Sequence, residues 1–101
     1  MLDTMEVTIS NGLQSLYAFI MCKEKICYID GLKYNVSDEF LDEIIRTISF
    51  WDNEYGENNR LDSEEFKVVI RENDKENVFH GKGIFPNNYA YFKELLGELR
   101  D

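Results

Sequence analysis

The feature that most constrains the fold of this 101-residue chain is an alternation of apolar and polar residues that runs directly into a hairpin turn. Residues 5–10 alternate in this way, which is typical of a strand with one buried face. Asn11-Gly12 follows at once, and this dipeptide supplies the positive φ angles that a tight turn requires. A two-residue loop would place Val7 opposite Leu16. The pattern therefore predicts an antiparallel hairpin at the start of the chain.

The strand that returns from this turn is apolar on both faces. Its two faces carry, respectively, the aliphatic residues Leu16, Ala18 and Ile20 and the large apolar residues Tyr17, Phe19 and Met21. Such a strand is expected in the middle of a sheet and covered on both sides. After a third strand over residues 26–29, Asp30-Gly31 gives a second hairpin signal. We therefore expect an antiparallel meander that continues through residues 32–34.

Two later segments change to helical periodicity. Residues 37–50 place their aliphatic side chains on one helical face, with Ser37 as the N-cap and two acids in the first turn. A second amphipathic helix is expected after Pro86. Between the helices, the β-branched run at residues 68–70 favours a strand. The chain is thus predicted to be a single α+β domain over residues 1–101, with a mostly antiparallel sheet of about five strands and two amphipathic helices packed on it.

Charge and segment length exclude several classes of function. Eleven basic residues stand against twenty acidic ones, and the formal net charge is −9, so nucleic acids and anionic membrane surfaces are unfavourable partners. The longest apolar run, residues 13–22, is about half of the ~20 residues that span a bilayer. Residues 1–6 carry acids where a signal peptide carries bases. We expect a cytoplasmic protein that binds neither nucleic acid nor membranes.

Residues typical of catalytic and metal sites are few. Cys22 and Cys27 lack the spacing of a redox motif, and no second ligand pair completes a zinc site. Whether the two cysteines pair across a hairpin stays open. The only histidine, His80, has no nucleophile attached to it by a recognisable motif, so an enzyme centred on it is a third-ranked alternative. We expect no enzymatic activity, no cofactor and no metal.

The acidic stretch over residues 52–65 resembles an EF-hand calcium loop, most clearly in its second half. If Glu65 is the final bidentate ligand, Asp62 and Asn58 fall at ligand positions, whereas Gly56 leaves one such position without a side chain. The alternative function is therefore a divergent, EF-hand-like calcium-responsive protein. Its ligands would be Asp52, Glu54, Asn58, Asp62 and Glu65. A helix over residues 66–71 would favour this alternative, and a strand there would count strongly against it.

The leading hypothesis is a small acidic, non-enzymatic module that binds another protein with a basic surface. In size and charge the chain is similar to bacterial immunity and antitoxin-type inhibitors. Aromatic residues, which are enriched in binding hot spots, lead into the acidic stretch, and negative charge speeds encounter with a basic partner. The predicted partner-binding residues are Trp51, Asp52, Glu54, Tyr55 and Glu57. For Trp51 the alternative is core packing on the first helix, and a homodimer through a sheet edge stays open.

Overall fold

The computed structural model describes residues 2–57 and 63–100, which contain seven strands and two helices. The elements are β1 (Thr4–Ser10), β2 (Ser15–Met21), β3 (Ile26–Ile29), β4 (Leu32–Asn35), α1 (Asp38–Ile48), β5 (Glu54–Glu57), β6 (Glu65–Glu72), β7 (Lys75–Lys82) and α2 (Tyr89–Arg100). The strand order is β4-β3-β2-β1-β6-β7-β5, and every neighbouring pair is antiparallel except β5 and β7. The predicted α+β class with two helices is confirmed. The sheet is larger than the expected five strands and is mixed.

The predicted meander forms, but its first loop is longer than expected. Val7 lies opposite Ala18 and not opposite Leu16, because the turn has four residues. The Asn11 side chain accepts hydrogen bonds from the backbone N–H groups of residues 13 and 14, at 3.1 and 2.8 Å, and thereby stabilises the wider turn. The register moves by two residues, an even number, so each side chain keeps its predicted face.

Both helices pack on one face of the sheet, and the other face is open. The core side chains of β1 and β2, among them Met5 and Ile20, are fully buried under the helices. On the opposite face Tyr17 and Tyr28 are 44% and 37% exposed. The expectation that β2 is covered on both sides is therefore wrong, because residues 2–57 and 63–100 supply a covering layer for one face only.

Local signals place the first helix as expected. Ser37 Oγ accepts the backbone N–H of Phe40 at 3.0 Å, which caps α1. The helix buries Leu41, Ile44 and Ile48 against the sheet. Neither helix in the described part of the chain has the length or apolar character to cross a membrane.

The acidic stretch holds a strand that the sequence pattern does not show. β5 lies parallel to β7 at the edge of the sheet, with an irregular register between Glu54 and Glu57. Just before it, the Asn53 carbonyl accepts the backbone N–H of His80 at 2.9 Å, and the Asn53 side chain donates to the Val78 carbonyl at 2.8 Å. Backbone pairing with β7, not an apolar alternation, makes this segment a strand. Residues 66–70 form a strand as predicted.

Candidate functional site

A cleft of about 360 Å³ lies where the segment entering β5 meets the segment entering α2. This volume is at the low end of the ~300–1,000 Å³ typical of ligand pockets and suits one or two side chains. The residues that line it, named here the aromatic cleft, are Phe50, Trp51, Asp52, Tyr55, Phe85, Pro86, Asn87 and Asn88. Three of the five predicted partner-binding residues are among them.

Trp51 forms the inner wall of the aromatic cleft. Its side chain is only 7% exposed, and its ring centroid lies 5.0 Å from that of Phe92 and 5.6 Å from that of Phe66. The indole Nε1 donates to Asn88 Oδ1 at 2.5 Å, and Asn88 Nδ2 donates to the carbonyl of Thr47 at 2.8 Å. Trp51 is thus a core residue, held in one orientation, that offers a partner only part of its ring.

Asp52 and Tyr55 are linked through the backbone. The Asp52 N–H donates to the Tyr55 hydroxyl at 2.7 Å, and the half-buried Tyr55 ring packs 6.1 Å from Phe66. Asp52 and Glu54 are exposed, and their carboxylates make no ion pair or hydrogen bond with residues 2–57 or 63–100. The Glu57 side chain lies outside the described part of the structure. Two of the predicted acids are therefore free to meet a cation, but only Asp52 lines the aromatic cleft, and Glu54 lines a separate cavity beside His80.

A second aromatic pair supports the other wall. Phe85 stacks on Tyr89 with ring centroids 4.5 Å apart and planes 9° from parallel. The Tyr89 hydroxyl donates to Glu64 Oε2 at 2.6 Å, and Lys93 Nζ lies 3.0 Å from the same oxygen. Burial, together with this bond to Glu64, raises the pKa of Tyr89 far above its usual value. The hydroxyl therefore stays protonated and remains a donor that anchors α2 to the segment before β6.

Several residues of the aromatic cleft were not predicted. Phe50 is 85% exposed at its rim, just beyond the C-terminus of α1. Phe85, Pro86 and Asn87 come from a segment some thirty positions later in the chain, and no local pattern connects the two segments. One signal was available in the sequence: residues 49–57 and 83–92 together contain three acids and no Lys or Arg.

The segment that follows the acidic stretch does not fit an EF-hand calcium site. The segment after Glu65 is a strand, where an EF-hand requires a helix. Of the five ligands, Asn58 and Asp62 lie outside the described residues. Within the described residues, no group of three His, Cys, Asp or Glu side chains is arranged to hold a metal ion.

The remaining reactive residues are His80 and the two cysteines. His80 is exposed on β7, level with Lys67 on β6 and Glu54 on β5. Cys22 and Cys27 are buried and unpaired, and burial raises the pKa of Cys27 to about 11. Both thiols are therefore protonated and poor nucleophiles near neutral pH.

The aromatic cleft combines an apolar wall, the unpaired carboxylate of Asp52 and an exposed phenyl ring at its rim. Such a surface can hold an apolar side chain while nearby acids contact a cation. It holds no nucleophile or general base positioned against another reactive group. No protein-family model, no curated protein and no solved structure matches this chain.

Proposed function

We propose that this chain is a non-enzymatic protein-interaction module whose aromatic cleft receives an apolar side chain from a basic partner. One observation carries the proposal. The cleft places an almost fully exposed phenylalanine, Phe50, beside the free carboxylate of Asp52, and the two segments that line it contain no basic residue. Exposed aromatic residues beside a concave apolar surface are typical of binding sites.

The apolar wall and the acids have different roles in this proposal. Exposed ion pairs contribute only about 0.2–1 kcal/mol each, so the affinity comes mainly from the apolar side chain that enters the cleft. Asp52, the acid that lines the cleft, selects a partner with Lys or Arg beside that side chain. The net charge of −9 also accelerates encounter with a basic protein.

Inhibition of the partner, as in immunity and antitoxin-type proteins, is one consequence that such binding would have. It is supported by small size and acidity, the same general similarity that the sequence showed. The proposal that the cleft binds a partner does not depend on inhibition of that partner.

The test is an NMR titration of ¹⁵N-labelled protein with two synthetic peptides. One peptide carries a single Phe between Lys residues, and the other replaces each Lys with Glu. We expect saturable shifts confined to residues 50–55 and 85–88, which reach saturation at lower concentrations of the Lys peptide than of the Glu peptide. Shifts spread over the whole acidic surface, or no saturation, would refute a defined site.

Matched variants separate the site from general acidity. F50A is expected to abolish the shifts, and the charge reversal D52K is expected to weaken the binding of the Lys peptide. The control D42K makes the same change in net charge at an exposed position outside the cleft, and it should bind like the wild type. Equal weakening of binding in D52K and D42K would mean that only net charge matters. A natural partner that was retained equally at low and high salt would reject the electrostatic part of the proposal.

A further inference from the structure

The uncovered face of β1–β4, named here the open face, is unusually apolar for a surface. Phe19, Met21, Ile26 and Tyr28 occupy its centre, because alternate residues of β2 and β3 point away from the helices. Tyr17 and Tyr28 remain substantially exposed. The solvated face of an antiparallel sheet normally carries polar residues, and exposed apolar patches mark contact surfaces.

The strand register arranges the side chains of the open face in rows that cross the strands, and over β1–β4 the rows share the same order of polar and apolar residues. One row across β4, β3, β2 and β1 is Lys33–Tyr28–Phe19–Glu6. The neighbouring row is Asn35–Ile26–Met21–Thr4. Over these four strands each row has two apolar residues between two polar ones, and the first row has opposite charges on β4 and β1. Beyond β1 the first row continues to Val69 and Val78 on β6 and β7.

Such rows are complementary to themselves under a two-fold rotation. If the axis lies parallel to the strands between β2 and β3, Tyr28 of one copy faces Phe19 of the other, and Lys33 faces Glu6. An axis through β1, the central strand, would instead set Glu6 against itself. We infer that the open face is the contact surface of a symmetric homodimer with its axis between β2 and β3, a closed isologous arrangement.

The two sheet edges are poorly suited to the edge-to-edge dimer that the sequence left open. β4 is only four residues long and carries the exposed Lys33, and a short edge strand with a lysine resists pairing. At the other edge, the register of β5 is irregular and Gly56 has a positive φ of 84°, which interrupts the ladder. A second copy is therefore placed on the face of the sheet.

The size of the open face indicates a weak dimer. Four strands spaced ~4.8 Å apart and about three rows spaced ~6.8 Å apart cover on the order of 400 Å² per copy. Stable complexes bury about 800 Å² per partner, so we expect dimers at roughly 0.1–1 mM protein. The acids of the helices lie on the far side of each sheet, and at ~0.15 M salt their repulsion is screened beyond ~8 Å.

Sedimentation equilibrium of the full chain at 0.05–1 mM, in ~0.15 M salt, tests the dimer and its axis. The single charge reversals K33E and E6K should each weaken dimerisation about tenfold, since each places like charges opposite one another twice. The double variant E6K/K33E restores opposite charges and should recover the wild-type association. K75E, at an exposed position outside the open face, should leave it unchanged.

A wild-type chain that stays monomeric at 1 mM would overturn the inference. Dimers that are insensitive to both reversals, or a double variant no better than the singles, would also overturn it. E6K loses the hydrogen bond that Glu6 accepts from Tyr17, so its fold is checked by circular dichroism. The wild type provides a second measurement, because dilution should shift the amide signals of residues 19 and 28 and leave those of α1 in place.

Discussion

Replacing Gly81 with alanine probes the packing directly behind the aromatic cleft. A Cβ atom at this position would lie 2.6 Å from the carbonyl oxygen of Ile84, 2.8 Å from Cε1 of Phe66 and 2.9 Å from Cβ of Tyr55. The first contact is with backbone and the second with a fully buried ring, so neither can move without disturbing β6 or the segment before α2. Overpacking of this kind typically costs about 1–3 kcal/mol. We expect G81A to lie near the upper limit, at about 3 kcal/mol.

Gly97 provides a matched control because, like Gly81, it has no positive φ. Gly97 lies inside α2, and an added Cβ would meet nothing within 4 Å. Alanine is favoured over glycine in a helix interior by roughly 0.5–1 kcal/mol, so G97A should stabilise the protein. The same chemical change is therefore expected to have opposite signs at the two positions.

Urea unfolding, followed by circular dichroism, measures both free energies of unfolding. For a chain of this size about 1 kcal/mol corresponds to about 4–8 °C in Tm, so G81A should lower Tm by more than about 10 °C. A G81A protein as stable as the wild type would refute the close approach of β7 to residue 84. A G97A protein that loses stability would refute the open surroundings of α2 at that point.

Two further substitutions test polar contacts. Y89F removes the partly buried hydrogen bond to the Glu64 carboxylate and should lower the free energy of unfolding in urea by about 1–2 kcal/mol. The control Y91F removes an exposed hydrogen bond to Glu43 and should change this free energy by less than about 0.5 kcal/mol. Equal effects of the two variants would contradict the difference in burial. The hydrogen bond from Lys23, and then one from the backbone of Asn73, lower the pKa of Asp3 below its ordinary value of 3.8. A lowered folded pKa adds stability above the unfolded value, and this is lost as the pH falls through the folded pKa. Urea midpoints measured from pH 6 to 2 should therefore fall less steeply on acidification in D3N than in the wild type, and identical slopes would refute the contribution.

Local sequence signals determined most of the strands and helices. Asp30-Gly31 forms the predicted tight turn, with positive φ at both residues, and Ser37 caps α1 because its side chain reaches an N–H three residues later. The β-branched run near residue 69 lies in β6. Each of these choices depends on neighbours within a few positions along the chain, and such neighbours are visible in a sequence.

The site was only partly visible. The sequence indicated the acidic residues Asp52 and Glu54 and the aromatic residue Tyr55. Asp52 and Tyr55 line the cleft, and Glu54 lines a separate cavity. It could not show that Asn88 would bind the indole of Trp51 from 37 positions away. That contact exists only after the segment before α2 has packed beside α1.

What the sequence alone determined was the alternation of faces, the helix starts and the excess of acid. Tertiary structure decided which strands became neighbours, which face of the sheet stayed uncovered and which distant segments formed the cleft. β5 shows the physical reason most clearly: its residues carry no apolar alternation, and the segment is a strand because β7 offers it unpaired backbone groups. Contacts of this kind depend on the position of the rest of the chain, and short-range propensity does not encode that position.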